Sequence, residues 1–297
     1  MTRPLVTVVM NCFNGEAFLR QAIDSVIAQT WINWEIVLWD NQSTDDSAAI
    51  AKSYDDPRIH YFYAPYHTLL YEARNYAIEK ASGELLAFLD VDDWWLPEKL
   101  ERQVALFSDP EVSLVYGNYW VINERKGRKW VAHKKNLPSG HILDSLLENY
   151  RVGLLTLMVR QAHLPLCKPP FDPRFHIIGD FDLVIRLASK GKVACVQEPI
   201  AVYRIHGGNE TALRRSRHLE ELACWFDEMS HEFTVVKSKK FGQVRLHAEY
   251  IEAIGMLLDG KRMQAARIFC SMRWSKFKIR IFVGLLLPRM LIAHIKN

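Results

Sequence analysis

Three aspartates follow an apolar run in the stretch "AFLDVDDWWLPEKL", residues 87–100. Asp90, Asp92 and Asp93 come after Leu85–Leu89 and directly before two tryptophans. Like charges this close raise one another's pKa, so water, a cationic side chain or a metal ion must compensate them. A short carboxylate array at the end of a strand can hold a hard divalent cation that also binds substrate phosphates. The alternative is that Asp92 or Asp93 caps a helix that begins near Pro97.

A second polar segment, "WDNQSTDD" at residues 39–46, ends another apolar run. Asp40 and Asn41 could form hydrogen bonds with a base or a ribose, because both offer acceptors and Asn41 also donates. The alternative is an Asx turn followed by a short helix over 43–52 that Ser43 or Thr44 caps. Sequence spacing leaves both interpretations open.

Arg74 lies in "EARNYA", near the start of a predicted helix. Its guanidinium group could bind a phosphate through two parallel hydrogen bonds. The alternative is a surface ion pair with Glu72 or Glu79.

Further acid–base candidates lie in "IIGDFDLVIRL" (177–187) and "YRIHGGNET" (203–211). The carboxylate of Asp180 or Asp182 could take a proton from an attacking hydroxyl group, or it could simply complement the helix dipole. His206 could bind a metal ion or a phosphate, and the alternative is a structural histidine.

The elements that position these residues alternate between strand and helix. Apolar, β-branched runs predict strands over 5–13, 34–40, 58–64 and 84–90, and helical spacing predicts helices over 15–29, 43–52, 71–81 and 96–107. Such alternation predicts a mostly parallel sheet flanked by helices. Because ligands bind beyond the carboxyl ends of such strands, we expect three polar strand ends to share one crevice: Asn11–Asn14, Asp40–Ser43 and Asp90–Asp93.

The remaining chain predicts fewer regular elements. Residues 112–135 are typical of an antiparallel pair around the turn "ERKGR", and 179–191 of a helix. Residues 193–211 contain strand material that Pro199 breaks, and beyond Thr211 the pattern is helical and amphipathic.

Composition excludes several classes of protein. The chain has 297 residues, a formal charge of +4 and five scattered cysteines without a CxxC pair, which indicates a reducing cytosol rather than a disulfide framework or a zinc site. There is no signal segment and no apolar run of the ~18–20 residues that span a bilayer. No acidic residue follows Asp259, so the tail is cationic; it could lie on an anionic membrane or pack with its charges in water. No nucleic-acid-reading motif accompanies this charge.

The order of these pieces resembles family two of the inverting nucleotide-sugar glycosyltransferases, which have the GT-A fold. The matching motifs are "VTVVMNCFNGEAFL", "SVIAQT", "WDNQSTDDS", "ARNYAI", "ASGELLAFLDVDD", "GDFDLVIRL" and "YRIH", over roughly residues 4–211. The resemblance implies a catalytic domain at 1–211, and the helical, basic region at 212–297 lies outside it. It implies donor-binding residues at Asn11, Phe13, Asp40, Asn41, Arg74, Asp90 and Asp92.

The resemblance also implies a cofactor, a base and partners. Asp92, Asp93 and His206 would hold Mn²⁺ or Mg²⁺ at the donor diphosphate, and Asp180 would be the general base on the acceptor hydroxyl group. The partners would be a nucleoside-diphosphate-sugar and a glycan or lipid-linked glycan, at the cytoplasmic face of a membrane. Surface polysaccharide biosynthesis would be the setting.

Three departures and two rivals qualify this hypothesis. Gly179 replaces the Glu of the family's Glu-Asp pair, Asn41 replaces an aspartate, and Asn11-Cys12 replaces Pro-Thr. One rival is a sugar nucleotidyltransferase, which would need a glycine-rich, basic first loop; "NCFNGEAF" has one glycine and no Lys or Arg. The other is a non-catalytic carbohydrate- or nucleotide-binding relic, which activity measurements would separate from an enzyme.

Overall fold

The computed structural model of the chain describes residues 3–164, 169–207, 215–229, 231, 237–238 and 240–288. The chain divides into two compact units. One comprises Met1–Leu146 and Tyr150–Asn209, and the other comprises Leu147–Asn149 and Glu210–Asn297.

The first unit opens with the predicted strand–helix alternation. Its elements are β1 (Val6–Cys12), α1 (Glu16–Ile27), β2 (Trp34–Asp40), α2 (Ser47–Lys52), β3 (Ile59–Tyr63), α3 (Leu70–Ile78) and β4 (Leu85–Phe88). Strands β2 and β4 both pair with β1, β3 pairs with β2, and all these pairings are parallel. The carboxyl ends of the four strands therefore lie at one edge, as the alternation predicts.

The second half of this unit adds strands of mixed direction. Its elements are β5 (Trp94–Trp95), α4 (Lys99–Ala105), β6 (Val112–Asn123), β7 (Arg128–Val131), α5 (Leu143–Glu148), β8 (Met158–Arg160), α6 (Gly179–Ala188) and β9 (Lys192–Ile205). The sheet order is β3-β2-β1-β4-β8-β6-β9-β5, with β7 paired to β6. Strand β8 is antiparallel to both β4 and β6, and β9 is parallel to β6.

Strand β9 corrects one prediction. Pro199 does not break the strand, which runs from Lys192 to Ile205 without interruption. Instead the register with β6 shifts on both sides of Asn118, which pairs with Pro199. A bulge accommodates a residue that cannot donate a ladder hydrogen bond, so the strand bends rather than ends. The predicted antiparallel pair of β6 and β7 is confirmed.

Buried apolar residues on both faces explain the central strands. All seven residues of β1 and all seven of β2 are buried, which is typical of a parallel sheet covered by helices on both sides. Helix α1 buries Leu19, Ala22, Ile23 and Val26. These side chains join the core that Val8, Ile36 and Leu38 form. Each fully buried Leu or Ile contributes roughly 1.5–3 kcal/mol to the free energy of unfolding.

The loop before α2 corrects a second prediction. Helix α2 begins at Ser47, and its capping residue Asp46 makes no side-chain cap hydrogen bond. Asp45 Oδ1 accepts from Ser47 N at 3.0 Å, and the side chains of Asp45 and Ser47 also accept hydrogen bonds from the start of α1. Ser47 Oγ accepts from Gly15 N and Asp45 Oδ2 from Glu16 N, both at 2.9 Å. The loop therefore caps the earlier helix, because α1 and α2 begin at the same sheet edge.

The second unit is helical in its described part. It contains α7 (Arg215–Met229), α8 (Phe241–Leu258), α9 (Arg262–Ser271) and α10 (Lys276–Leu286). Its core is formed by Tyr250, Ala253, Ile254, Leu257, Ala265, Met272 and Ile281. Among the helices described, none has the length and hydropathy needed to cross a bilayer. Residues 289–297 of the cationic tail lie outside the described residues.

Candidate active site

Two strand ends turn sharply at the predicted crevice. Cys12 at the end of β1 pairs with Asp40 at the end of β2. Asn14 and Gln42, just beyond these ends, have φ angles of 53° and 68°. This left-handed conformation is uncommon outside glycine and marks tight turns at sites of function. The turns bring residues from both strands to one edge.

Asp40 and Asn41 make the hydrogen bonds of the turn themselves. The carboxylate of Asp40 is fully buried, and it accepts hydrogen bonds of 2.7 Å from Ser43 N and from the hydroxyl group of Tyr61. The amide of Asn41 donates to the carbonyl oxygen of Thr68 and accepts from Thr68 N. The bond from Asp40 reaches three residues along the chain, and that of Asn41 reaches Thr68, so neither is the two-residue bond of an Asx turn. Nucleoside contact through Asp40 stays a prediction, and it requires neighbouring groups to move because the carboxylate is fully buried.

Asn11 and Phe13 flank this turn with different exposure. Asn11 is 8% exposed, and neither atom of its amide has a hydrogen-bond partner. Phe13 is 53% exposed and packs on the ring of His67, at 4.5 Å between centroids. His67 Nδ1 lies 2.8 Å from the carbonyl oxygen of Asn41. Sequence analysis missed His67, because nothing in the loop "YAPYHTLL" distinguishes it from a surface histidine.

Arg74 pairs with the first aspartate of the acidic run. Its guanidinium group is buried and forms an ion pair with Asp90. The alternative of a surface pair with Glu72 or Glu79 is therefore wrong. The helix α3 turns Arg74 inward, where its charge also acts on Asp180. One buried cation thus links the end of β4 to the start of α6.

The other two aspartates find different partners. Asp92 Oδ2 lies 2.8 Å from His206 Nε2, and both side chains are about a quarter exposed, 25% and 28%. Asp93 is 4% exposed and accepts a hydrogen bond from Arg204 N at 2.9 Å. Burial and the neighbouring Asp90 raise the pKa of Asp92. The helix-capping alternative is wrong, because α4 has Glu98 as its capping residue, without a side-chain cap bond.

Asp180 and Asp182 separate at the start of α6. Asp182 is buried and pairs with Arg186, 2.8 Å away on the same helix. Asp180 is partly exposed; the hydroxyl group of Tyr71 lies 3.2 Å from its Oδ1 and that of Tyr150 lies 3.5 Å from its Oδ2. Burial raises the pKa of Asp180, against the opposing effect of Arg74. A carboxylate with a raised pKa and access to solvent is suited to proton transfer.

The donor set fits a divalent cation at two residues. Asp92 and His206 offer a carboxylate oxygen and an imidazole nitrogen, which Mn²⁺ accepts, and the two atoms are close enough to bind one ion. Asp93 is 4% exposed, and its Oδ1 accepts the hydrogen bond from Arg204 N. Within the described part of the chain, no group of three or more His, Cys, Asp and Glu side chains is arranged to hold a metal ion. Of the three predicted donors, the structure brings Asp92 and His206 together, and the metal set of Asp92, Asp93 and His206 stays a prediction.

Comparisons with known proteins agree on one family. The family described as Glycosyl transferase family 2 matches residues 7–163. The chain is 34% identical over 167 residues to the UDP-Glc:alpha-D-GlcNAc-diphosphoundecaprenol beta-1,3-glucosyltransferase WfgD of Escherichia coli. That match covers 56% of this chain and 64% of WfgD, so the chain spans less than two thirds of this relative.

Two further proteins match over more of their length. WfaP of Escherichia coli carries the same enzyme description and is 25% identical over 235 residues, 79% of this chain and 86% of WfaP. Among solved structures, the mannosyltransferase PcManGT from Pyrobaculum calidifontis, in complex with GDP-Man and Mn²⁺, aligns with a TM-score of 0.62. That alignment covers 99% of this chain and 86% of PcManGT at 16% identity, which shows a shared fold. The predicted fold class is confirmed.

Proposed function

This chain belongs to glycosyl transferase family 2, and we propose that it moves a sugar from a nucleoside-diphosphate-sugar to a hydroxyl group of a lipid-linked glycan, with inversion at the anomeric carbon. One observation carries the proposal. Arg74 forms an ion pair with Asp90 and acts electrostatically on Asp180. A group suited to phosphate and a group suited to proton transfer therefore belong to one cluster.

The donor would lie along the strand ends. Phe13 is exposed enough to contact the nucleoside, and Asn11 has an unpaired amide at the same strand end. Asp40 and Asn41 would contact the nucleoside once the groups that bury Asp40 move aside. Arg74 would direct its charge to the diphosphate, and Asp90 would hold the ribose.

Mn²⁺ or Mg²⁺ would be held by Asp92 and His206, together with donor oxygens. When bound, such an ion stabilises the negative charge of the departing nucleoside diphosphate. Asp93, by contrast, would hold the backbone of β9 in place. Its hydrogen bond with Arg204 N ties the end of β9, and with it His206, to the acidic run.

Asp180 would act on the acceptor. Its carboxylate takes the proton of the acceptor hydroxyl group while that oxygen forms a bond to the anomeric carbon. The bond from the anomeric carbon to the diphosphate breaks, and its electron pair leaves with the nucleoside diphosphate. Attack from the face opposite the leaving group inverts the configuration, and holding both reactants in line lowers the barrier.

The relatives support the choice of acceptor. WfgD and WfaP are both described as acting on alpha-D-GlcNAc-diphosphoundecaprenol with UDP-Glc. We propose the same class of acceptor for this chain, a glycan on a polyprenyl diphosphate, as a step in surface polysaccharide biosynthesis. Because a lipid-linked acceptor is held in a membrane, we propose that the enzyme works at the cytoplasmic face of that membrane.

Helix α10 supports contact with that membrane. Ile279, Phe282, Val283 and Leu286 recur at helical spacing and are 51%, 49%, 42% and 69% exposed, so they form one apolar stripe, while Ile281 on another face is buried in the unit's core. The stripe lies among cationic residues in a segment without acids after Asp259. A second copy would bring like charges together, whereas an anionic lipid surface complements them.

The first test follows product formation. The purified chain is incubated with Mn²⁺, GlcNAc-diphosphoundecaprenol and, in separate reactions, UDP-, GDP- and dTDP-sugars. We expect one donor to yield a glycolipid larger by one sugar, together with an equivalent amount of nucleoside diphosphate. Tight donor binding with no transfer and no donor hydrolysis would identify a relic site instead.

The second test addresses the membrane. We expect the full chain to co-sediment with vesicles that contain phosphatidylglycerol, less so at high salt, and little with phosphatidylcholine alone. The double variant Phe282→Ser/Leu286→Ser should lose most of this binding. Ile32→Ser is the matched control, because Ile32 is 62% exposed on the first unit. Equal binding of both variants, or self-association in place of vesicle binding, would refute the lipid surface.

A further inference from the structure

Gly179, the first residue of α6, has no room for a side chain. A Cβ atom placed there would lie 2.6, 2.7 and 2.8 Å from Cδ2, Cε2 and Cγ of Tyr71. Carbon atoms normally approach no closer than about 3.5 Å. The ring of Tyr71 therefore occupies the space that a side chain at position 179 would need. Gly179, which replaces the Glu of the family's Glu-Asp pair, thus leaves space that Tyr71 of α3 fills.

The ring of Tyr71 is held firmly in this place. Tyr71 is 3% exposed, and its ring stacks on Phe171 with 5.3 Å between centroids and 19° between planes. The guanidinium carbon of Arg74 lies 5.1 Å from the centroid of the same ring. A buried side chain packed against an aromatic ring and a cation has little rotational freedom, so its hydroxyl group points in a fixed direction.

That direction is toward the proposed base. The Tyr71 hydroxyl oxygen lies 3.2 Å from Asp180 Oδ1 and 3.1 Å from the carbonyl oxygen of Ile177. A tyrosine hydroxyl group has one proton, so it donates fully to one of these acceptors at a time. The carbonyl oxygen offers an alternative acceptor that does not depend on the charge of Asp180.

We infer that Tyr71 is the positioning residue for Asp180, in the space that Gly179 leaves open. This inference rests on the proposed role of Asp180 as the base. While Asp180 is ionised, Tyr71 donates its proton to Oδ1 and fixes the carboxylate. Once Asp180 has taken the acceptor's proton, Tyr71 turns its own proton to Ile177 and can accept a hydrogen bond from the new carboxylic acid. No proton leaves Tyr71 in this exchange.

Other groups around Asp180 set the direction of the pH effect. Arg74 from α3 favours the ionised carboxylate, and burial opposes it. The hydroxyl group of Tyr150 lies 3.5 Å from Oδ2, and that of Tyr119 on β6 is within electrostatic range. Tyr71 donates to the ionised form, so its loss should raise the pKa of Asp180 further. The acid limb of the activity profile should then move to higher pH.

The main test compares Tyr71→Phe with wild type. The substitution keeps the ring that fills the space at Gly179 and removes only the hydroxyl group. We expect kcat to fall about tenfold or more, since a hydrogen bond to a charged group is lost, and the acid limb of kcat/KM to move to higher pH. The KM for the donor should change less than about twofold, because Tyr71→Phe keeps the ring that packs on Arg74 and removes a hydroxyl group that lies against Ile177 and Asp180. Tyr76→Phe is the matched control on the same helix, where the hydroxyl group bonds Tyr66 and Glu72 instead.

Gly179→Ala provides an independent test of the same pair. The added methyl group must push the Tyr71 ring away, so kcat should fall. In the double variant Gly179→Ala/Tyr71→Phe, kcat should fall by less than the product of the two single-variant losses. Thermal unfolding of each variant shows whether the fold persists.

A Tyr71→Phe enzyme with the wild-type pH profile and kcat would overturn the inference while leaving the proposed function intact. An inactive wild-type enzyme would instead overturn the proposed function.

Discussion

Asn75 offers the sharpest test of how the site is supported. Its amide donates to the carbonyl oxygen of Phe171 at 2.7 Å and accepts from Phe171 N at 3.0 Å. Asn75 is 9% exposed and Phe171 is fully buried. The ring of Phe171 in turn stacks on Tyr71 and meets Phe88 edge-on. One side chain of α3 therefore fixes, through two hydrogen bonds, the segment against which Tyr71 packs.

The expected cost of Asn75→Ala follows from these two bonds. Truncation leaves the N–H and C=O of Phe171 buried without a partner, and each such group costs about 1–3 kcal/mol. We therefore expect the free energy of unfolding to fall by about 2–6 kcal/mol. For a unit of this size each kcal/mol lowers the thermal midpoint by about 2–4 °C. A fall of about 4 °C is thus the minimum.

Thermal and urea unfolding monitored by circular dichroism measure this cost. Asn33→Ala is the matched control, because Asn33 also donates an amide hydrogen bond to a backbone carbonyl, that of Arg3, but this bond is exposed to solvent. Water can replace that bond, so the control should lose less than about 1 kcal/mol. If Asn75→Ala were no less stable than Asn33→Ala, the two hydrogen bonds between Asn75 and Phe171 would not contribute to the stability of the site.

Two further predictions concern charge. Lys99 is fully buried, and burial lowers its pKa below the ordinary value of 10.5. At a pH between the lowered pKa of the folded protein and 10.5, the unfolded chain therefore binds more protons than the folded protein. Urea unfolding should therefore show wild type gaining stability relative to Lys99→Met as pH rises toward 10.5, and a constant difference would contradict this. EDTA should abolish sugar transfer and Mn²⁺ or Mg²⁺ should restore it, with Asp92→Asn requiring at least about tenfold more metal. Asp109→Asn, at a surface pair with Lys192, should require no more than wild type, and transfer unaffected by EDTA would exclude the metal.

The sequence predicts the elements of the sheet well because their signals are local. The apolar runs that became β1 to β4 carry their period within a few residues, and the carboxyl-edge rule then brings Asp40 and Asp90 to one side of the sheet. Bounds shift by a few residues, since caps and partners decide where a helix starts. The loop before α2 shows this, because the side chains of Asp45 and Ser47 accept hydrogen bonds from the start of the neighbouring α1.

The partners of the site residues could not be predicted in the same way. Tyr71 meets Asp180 across 109 positions, and Arg204 meets Asp93 across 111. The local periodicity of apolar residues cannot predict contacts between residues so far apart in the sequence. Asp40 shows the same limit, because its hydrogen-bond partner Tyr61 comes from the next strand. The residue types indicated the chemistry, and only the fold shows which charge compensates which.

The central claim is that Asp180 takes the proton of the acceptor hydroxyl group and does not itself bind the donor. Asp180→Asn keeps the shape of the side chain and removes its basicity, so the direct measurement is sugar transfer and donor affinity in the same protein. We expect transfer to fall by about 10²-fold or more, with the calorimetric Kd for the donor within about threefold of wild type. An Asp180→Asn enzyme that transfers sugar at the wild-type rate would contradict the account.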